Sequence, residues 1–364
     1  MLTIYGATGY TGRLIAARLA ERGRPFRLAG RSRDKLEALA RAIRPALPQG
    51  APPPELEAVA IGDTAGLAEL MRRSKVVVSC AGPFRRLGPP VVEACLEGGA
   101  HYLDITGELQ FMLETKRRDV EAKQRGIVLA NAVGFDVVPT DLAAHLAARA
   151  LGEVPDQIEI ALWVRRARLT AGTRRSAAGM AFESSAALVG GEVVAEPFGA
   201  RSRELLFPGR DRPRRVVSVP LGDLATIPAT TGAKNARTYL TLNPRLIGLS
   251  RALSSLGRTP LGAPVRALAS RIMSGGPEGP SEEDRPRTEF AIVAEATKNG
   301  RTTRATLTSC DPYGLTAHTV VHAAFSLLDA PGDRSGWLSP MQVATPESWR
   351  ALFERLGARV DVSH

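Results

Sequence analysis

Three glycines near the start of the chain stand in a spacing that has a chemical use. Gly6, Gly9 and Gly12 follow the apolar segment 2–5 and open a segment with helical periodicity. A strand that turns into a helix over a diphosphate needs backbone without a Cβ at such points. The amides from Tyr10 onward would then face the diphosphate at the positive end of the helix dipole. The spacing predicts a dinucleotide site, and an ordinary strand-to-helix turn is the alternative.

The end of the second apolar segment indicates which dinucleotide fits. Where NAD enzymes place a carboxylate for the ribose 2′-hydroxyl, this chain has Arg31, Ser32 and Arg33. A carboxylate would repel a 2′-phosphate, whereas guanidinium and hydroxyl groups bind it through charge-assisted hydrogen bonds. We therefore predict NADPH or NADP as the cofactor. In the alternative interpretation, Arg33 and Lys35 belong to the solvated first turn of the next helix.

Strands and helices alternate over the first part of the chain. Six apolar segments have the length of strands: 2–5, 26–29, 56–61, 75–79, 102–105 and 126–130. Mostly amphipathic segments separate them. This order predicts an α/β fold with a Rossmann doubly wound parallel sheet. We expect this NADP-binding domain to span residues 1–135.

The rhythm changes from Pro139 onward. Four strand-like segments follow with few helices between the last of them: 157–164, 215–219, 290–297 and 304–309. The pattern predicts a second α+β domain, built on a mixed or antiparallel sheet, over residues 136–314. Residues 315–364 are predicted as helices that return to the Rossmann domain.

The segment 239–272 is apolar on one side and basic on the other, because leucines alternate with arginines. It fits a helical hairpin packed on the core, a lid over an apolar substrate, or a surface for a membrane or an acyl carrier. The segment 275–287 that follows is polar and rich in glycine and proline, which predicts a flexible loop.

The composition is typical of a globular protein with two domains. A chain of 364 residues with 44% hydrophobic residues can bury the cores of two domains. The formal charge of +11 comes mainly from scattered arginines, and with 5% aromatic residues we expect no nucleic-acid binding. Three separate cysteines without a histidine cluster indicate reduced thiols and no metal site. Without a leader or a run of about 18 apolar residues, we expect a cytoplasmic protein that lacks a transmembrane segment.

Several motifs together resemble a known family. They are GATGYTG at 6–12, VVVSCAGPFRRLGPPVVEACLEGGAHYLDITGE at 76–108, VGFDVVPTD at 133–141, GTRRS at 172–176, GPEGPSEEDR at 276–285 and DPYGLTA at 311–317. They resemble the saccharopine dehydrogenase-like family of NADP-binding reductases, and within it the trans-acting enoyl reductase branch of lipid and polyketide pathways. The resemblance extends over nearly the whole chain.

The resemblance implies a set of coenzyme contacts. The loop 79–84 leaves the fourth strand at its carboxyl end, where a doubly wound sheet places the nicotinamide ribose. Cys80 is then part of the wall and not a nucleophile, because hydride transfer requires no thiolate. The predicted coenzyme-binding residues are Gly6, Thr8, Gly9, Tyr10, Thr11, Gly12, Arg31, Ser32, Arg33, Asp63, Ser79, Cys80, Ala81 and Gly82.

The resemblance also implies a proton carrier. In saccharopine reductases the segment similar to GFDVVP carries an aspartate near the nicotinamide, and the matching residue here is Asp136. Between Phe135 and Val137 this carboxyl would be desolvated, which would raise its pKa and suit it to proton transfer. The alternative is that Asp136 caps the helix that starts after Pro139.

An arginine pair supplies a second catalytic candidate. The segment 172–176 could present amides and Arg174 or Arg175 to a thioester oxygen, a carboxylate or a phosphopantetheine. We expect Arg174 to polarise a substrate carbonyl, whereas an ordinary helix start with solvated guanidiniums is the alternative. Asp104 and Glu108 rank behind these, since carboxylates between a strand and a helix commonly act as caps.

Together these features predict an NADPH-dependent reductase that delivers a hydride to an apolar enoyl substrate. A carrier-bound substrate, a homodimer and peripheral membrane contact stay open. The alternatives are an imine or carbonyl reductase that acts on an amino acid or polyamine conjugate, and a non-catalytic NADPH-binding protein associated with lipid.

Overall fold

The structure is a computed structural model that describes residues 1–180, 184–242, 248, 264–265, 278–329 and 332–363. The chain divides into two compact units. The first unit comprises Met1–Val138 and Tyr313–Thr345, and the second comprises Pro139–Pro312 and Pro346–His364. The segment 315–364, predicted as one group of helices, is thus shared between the two units.

The elements are numbered in chain order. The strands among the described residues are β1 Leu2–Tyr5, β2 Phe26–Gly30, β3 Glu55–Ala58, β4 Val76–Ser79, β5 His101–Asp104, β6 Val128–Ala130, β7 Gln157–Arg165, β8 Ser185–Val189, β9 Glu192–Glu196, β10 Ser202–Leu205, β11 Arg214–Ser218, β12 Ala236–Leu240, β13 Glu289–Lys298, β14 Arg301–Cys310, β15 Gly336–Trp337 and β16 Arg359–Ser363. The α-helices in the same described ranges are α1 Tyr10–Ala20, α2 Arg33–Ile43, α3 Thr64–Arg72, α4 Phe84–Gly98, α5 Leu109–Lys116, α6 Asp119–Gln124, α7 Val138–Leu151, α8 Ala171–Met180, α9 Asp223–Thr231, α10 Pro312–Asp329, α11 Pro340–Val343 and α12 Pro346–Arg355.

The first unit is built on a parallel sheet of seven strands in the order β15-β6-β5-β4-β1-β2-β3. Strand β4 contributes three consecutive valines without exposed surface, as expected of a parallel strand that is covered on both faces. The strand order reverses between β1 and β4, and ligands of such sheets bind at the carboxyl ends of the strands near this point. The predicted Rossmann fold is confirmed.

Strand β15 adds a late segment of the chain to this sheet. It pairs with β6, and its Trp337 is anchored at two atoms. The Trp337 amide donates to Asp119 Oδ1 at 2.8 Å, and its indole Nε1 donates to Asn131 Oδ1 at 2.9 Å. Residues far apart in sequence therefore stabilise one edge of the first sheet.

The second unit is built on a mixed sheet, which confirms the predicted class of the second domain. Its main path runs β10-β11-β12-β7-β13-β14-β16, and β8 joins β12 and β9. Strands β12 and β7 pair in parallel, and the other pairs are antiparallel. Trp163, Phe207 and Tyr239 contribute to a buried apolar cluster of this unit.

The predicted apolar and basic segment 239–272 lies mostly outside the described residues. Tyr239 and Leu240 end β12, and of the predicted loop 275–287 the described part includes a 3₁₀ turn at Arg285–Arg287. No helix in the described ranges is long and apolar enough to cross a membrane.

Candidate active site

The glycine loop between β1 and α1 is packed so tightly that side chains do not fit at two of its positions. Gly6 has a φ of +78°, and a Cβ there would lie 3.0 Å from the Ala81 amide nitrogen. A Cβ on Gly12 would lie 2.7 Å from the carbonyl oxygens of Gly6 and Ala7. The first amides of a helix have no intrahelical acceptors, and α1 has no side-chain cap at Gly9. The loop is therefore a cradle suited to a diphosphate.

The three residues predicted to bind a 2′-phosphate differ in what they contact. Arg31 is exposed at the end of β2 and forms no hydrogen bond or ion pair with any described residue. Ser32 is the N-cap position of α2, but its hydroxyl makes no cap hydrogen bond. Arg33 donates from Nε to Glu37 at 2.9 Å and from Nη1 to the Leu56 carbonyl at 3.0 Å. Arg31 and Ser32 are thus better placed than Arg33 to meet an anion.

Asp63 has a structural role in this structure. Its Oδ1 accepts a hydrogen bond from the Gly66 amide at 2.9 Å and so caps α3. Contact with the coenzyme stays a prediction for this residue.

The loop after β4 lies against the glycine loop. Cys80 donates its amide to the Tyr5 carbonyl at 2.8 Å, which extends the pairing of β1 with β4 by one step. Burial raises the pKa of the Cys80 thiol well above its usual range, and nearby Asp104 raises it further. A neutral thiol is a poor nucleophile, and contact of Cys80 with the coenzyme stays a prediction.

Glu108 caps a helix that is distant in sequence. Its two carboxylate oxygens accept hydrogen bonds from the amides of Phe84 and Arg85, at 3.0 and 2.9 Å. These amides begin α4, whose N-cap residue Pro83 offers no side-chain acceptor. The contact holds a negative charge at the positive end of α4 and ties the loop after β5 to the loop after β4.

Asp136 follows β6 and faces the same group of loops. A Cβ on Gly107 would lie 2.9 Å from Asp136 Oδ2, so the backbone after β5 passes directly against this carboxylate. The surrounding protein and the Glu108 carboxylate raise the pKa of Asp136 to about 6, although more than a third of its surface is exposed. Among the described residues nothing donates a hydrogen bond to Asp136, so its carboxylate does not act there as a helix cap.

A known family shares this architecture at the level of its first unit. Residues 2–129 match the family model of the saccharopine dehydrogenase NADP binding domain. The first unit contains a saccharopine dehydrogenase NADP-binding domain. NADP, the coenzyme predicted from the residues after β2, is confirmed as the coenzyme of this type of domain.

Two proteins and one solved structure show how far the likeness extends. A human saccharopine dehydrogenase-like oxidoreductase is 36% identical over 154 residues, which are 39% of this chain and 35% of that protein. A trans-acting enoyl reductase of Mycobacterium ulcerans is 37% identical over 147 residues, which are 40% and 34% of the two chains. The match thus covers about a third of the length of these relatives. The solved structure is apo saccharopine dehydrogenase (L-Glu forming) of Saccharomyces cerevisiae, which superposes with a TM-score of 0.60 at 13% sequence identity. The alignment covers 100% of this chain and 99% of the yeast chain. At this identity the likeness shows the fold alone. The predicted relationship to saccharopine dehydrogenase-like oxidoreductases is confirmed.

A buried carboxylate lies beneath the loops of the NADP-binding domain and accepts hydrogen bonds from several of their residues. The sequence patterns did not predict this role, and we call this carboxylate the hub. Asp104 has no exposed surface and accepts four hydrogen bonds. The donors are the amides of Thr106 (3.0 Å) and Ala132 (2.7 Å), the Tyr102 hydroxyl (2.9 Å) and Asn131 Nδ2 (2.7 Å). Asp104 therefore fixes the start of both the loop that carries Glu108 and the loop that carries Asp136.

Replacing Tyr102 by phenylalanine tests this hub. Burial raises the pKa of Asp104 to about 6, so ionising it costs folded-state stability as the pH rises towards that value. At about pH 8 the lost bond is to a buried charge, and we expect the free energy of unfolding to fall by about 1.5–3 kcal/mol. At about pH 5 the carboxyl is protonated, and we expect a smaller loss. Unfolding in urea at both pH values measures the difference.

Tyr5→Phe is the matched control for Tyr102→Phe. The Tyr5 hydroxyl donates to the neutral carbonyl of Val59 at 3.2 Å, so its loss should cost about 1 kcal/mol at either pH. The same pH dependence in both variants would show that Tyr102 does not act on a charged Asp104.

The N-terminal end of α10 completes the edge of the NADP-binding domain. Tyr313 meets the ring of Tyr10, the first residue of α1, edge to face with 5.3 Å between ring centroids. Thr316 Oγ1 accepts a hydrogen bond from the Phe135 amide at 3.1 Å. Tyr313 and Thr316 belong to the motif DPYGLTA, but their contacts were not predicted, because nothing in a helical pattern indicates which distant loops a helix contacts.

These contacts link five segments of the first unit in a closed circuit, which we call the loop circuit. Its contacts are Gly6 with Ala81, Phe84 with Glu108, Gly107 with Asp136, Phe135 with Thr316, and Tyr313 with Tyr10. The loops at the carboxyl ends of the strands therefore bring together the predicted glycines, the loop 79–82 and Asp136. The predicted Arg174 belongs to the second unit, where its Nη1 donates to the Leu169 carbonyl at 2.7 Å. Its contact with substrate stays a prediction.

Proposed function

We propose that the protein is an NADPH-dependent reductase that delivers a hydride to an apolar α,β-unsaturated carbonyl compound, such as an enoyl thioester. The observation that carries this proposal is Asp136, a carboxyl with a pKa raised to about 6 on the loop circuit of an NADP-binding domain. Bound NADPH would supply the hydride from C4 of its nicotinamide. The rest of the reaction needs a proton and a polarised carbonyl.

The two carboxyl groups on the loop circuit interact electrostatically. Glu108 accepts hydrogen bonds from two amides at the start of α4, which hold its carboxylate close to the Asp136 loop. Its charge favours the protonated form of Asp136. A carboxyl group with a raised pKa is a typical proton donor of an active site. Asp136 would give its proton to the α-carbon after the β-carbon has accepted the hydride, so that the double bond becomes a single bond.

The substrate class is supported by two features. The M. ulcerans relative is named a trans-acting enoyl reductase, and this chain is 37% identical to it over 147 residues. The apolar and basic segment 239–272 offers no pattern typical of an amino-diacid site and suits an apolar acyl chain. Arg174 is our candidate to polarise the carbonyl of such a substrate. A carrier-bound substrate, a homodimer and a cytoplasmic location belong to the same proposal.

NADPH oxidation with a panel of substrates tests the proposal. The panel should contain enoyl thioesters of increasing chain length, with the matching saturated thioesters as controls, and representative imines and ketones. We expect turnover with the enoyl thioesters, rising with chain length, and none with the saturated ones. Turnover of imines or ketones alone would indicate the saccharopine-reductase-like alternative. Tight NADPH binding without turnover of any compound would indicate a non-catalytic binding protein.

A further inference from the structure

Tyr313, the residue that closes the loop circuit, lies against the start of α1, where domains of this kind bind the diphosphate of their coenzyme. Its ring lies at 78° to the ring of Tyr10, with 5.3 Å between centroids, and both side chains are half-buried. Tyr10 is the first residue of α1, the helix whose initial amides bind the diphosphate in this kind of domain. A group that touches Tyr10 and keeps exposed surface is therefore within reach of the same part of the coenzyme.

The position of Tyr313 is fixed from a second side. One helical turn later, Thr316 accepts a hydrogen bond from the Phe135 amide. A Cβ on Gly134 would lie 2.9 Å from Thr316 Cγ2, so the start of α10 packs closely on the loop that leads to Asp136. One turn of α10 thus spans the distance between the glycine loop and the Asp136 loop. Tyr313 is held in place by the first unit itself.

The chemistry of a tyrosine suits this position. A tyrosine hydroxyl can donate a hydrogen bond to phosphate or ribose oxygens, and the ring offers a flat apolar surface. The adenosine half of the coenzyme is expected at the end of β2, beside Arg31, on the other side of the glycine loop. Tyr313 would therefore strengthen binding of the diphosphate and nicotinamide-ribose half and leave binding of the adenosine half unaffected.

We propose that Tyr313 is a coenzyme-positioning residue that contacts the diphosphate and nicotinamide-ribose half of NADP. It comes from α10, outside the residues 2–129 that match the NADP-binding family model. The proposal rests on the NADP-binding domain and does not depend on which substrate is reduced. It assigns to the late segment of the chain a part in completing the coenzyme site.

Binding of whole and partial coenzymes tests the role of Tyr313. The probes are NADPH and 2′,5′-ADP, which carries the adenosine half with its 2′-phosphate but lacks the second diphosphate phosphorus and the nicotinamide riboside. We expect Tyr313→Phe to raise the Kd of NADPH about fivefold and Tyr313→Ala to raise it about twentyfold. The Kd of 2′,5′-ADP should stay within about twofold for both variants. Calorimetry measures both ligands on the full chain.

Two further variants separate positioning from loss of structure. Tyr5→Phe removes a buried hydroxyl of the same unit and should leave both Kd values unchanged. Arg31→Ala should weaken the binding of both ligands, because each carries the 2′-phosphate. If Tyr313→Ala does not fold, Tyr313→Phe carries the test. An unchanged Kd for NADPH in Tyr313→Phe and Tyr313→Ala, or an equal loss for NADPH and 2′,5′-ADP, would overturn the proposal.

Discussion

Arg31→Ala is expected to raise the Kd of NADPH about thirtyfold while the Kd of NADH changes less than about twofold. Arg31 directly follows β2, is exposed, and its side chain has no hydrogen-bond or ion-pair partner among the described residues, so its guanidinium is available to a 2′-phosphate. Bonds between a guanidinium and a phosphate are charge-assisted, and NADH lacks the acceptor. Titration of both coenzymes, followed by their fluorescence, measures the ratio.

Arg33→Ala and Arg41→Ala define what is specific to Arg31. Arg33 already donates to Glu37 and to the Leu56 carbonyl, so Arg33→Ala should raise the Kd of NADPH by less than about fivefold. Arg41 is exposed in the last turn of α2, and its removal controls for the loss of one positive charge. Equal weakening of NADPH and NADH in Arg31→Ala would show that this residue does not recognise the 2′-phosphate. The coenzyme preference would then need another source.

The parallel sheet was predictable because its strands carry their own signals. Val76 to Val78 form an apolar run long enough for a strand and too short for a helix, and the glycine loop marks the end of β1. Strands β15 and β16 lack such a signal. Two residues, Gly336 and Trp337, suffice for β15 because Trp337 also donates hydrogen bonds to Asp119 and Asn131, which lie outside the strand. Strand β16 is mostly exposed and pairs with β14 through backbone bonds that any residue can form.

The extent of helix α4 did not follow from its own residues, because distant residues stabilise it. Pro89 and Pro90 lie inside it, and two adjacent prolines ordinarily predict a break. Its start is capped by Glu108 rather than by a neighbour, and Phe84 stacks on Phe111 with 6.2 Å between ring centroids. These contacts become visible only once β4 and β5 lie side by side in the sheet.

The candidate site was predictable to the extent that its residues are local. The glycines, Arg31 and Asp136 each stand in a short motif whose chemistry follows from the residue types. The roles of Asp104 and Tyr313 depend on which loops meet at the carboxyl ends of the strands. Tyr10 and Tyr313, for example, are in contact although they are far apart in the sequence. Sequence patterns indicate which elements form, whereas pairing of the elements decides these contacts.

Asp136→Asn is expected to lower kcat with the proposed enoyl substrate about 100-fold and to leave the Kd of NADPH within about twofold. An amide has the shape of the carboxyl but does not give up a proton at accessible pH. Glu97→Gln is a matched control, because Glu97 is an exposed carboxylate at the far end of α4. A normal kcat in Asp136→Asn would show that water or another group protonates the product.

The pH dependence of kcat gives an independent test of the same carboxyl. If protonated Asp136 is the donor, kcat falls as the pH rises through its pKa of about 6, because the ionised form has no proton to give. Glu108→Gln removes the negative charge that favours the protonated form. The pKa of Asp136 then decreases, and the fall in kcat moves to lower pH. A profile that keeps its midpoint in Glu108→Gln would contradict the coupling between the two carboxyl groups, and a shift to higher pH would reverse its sign.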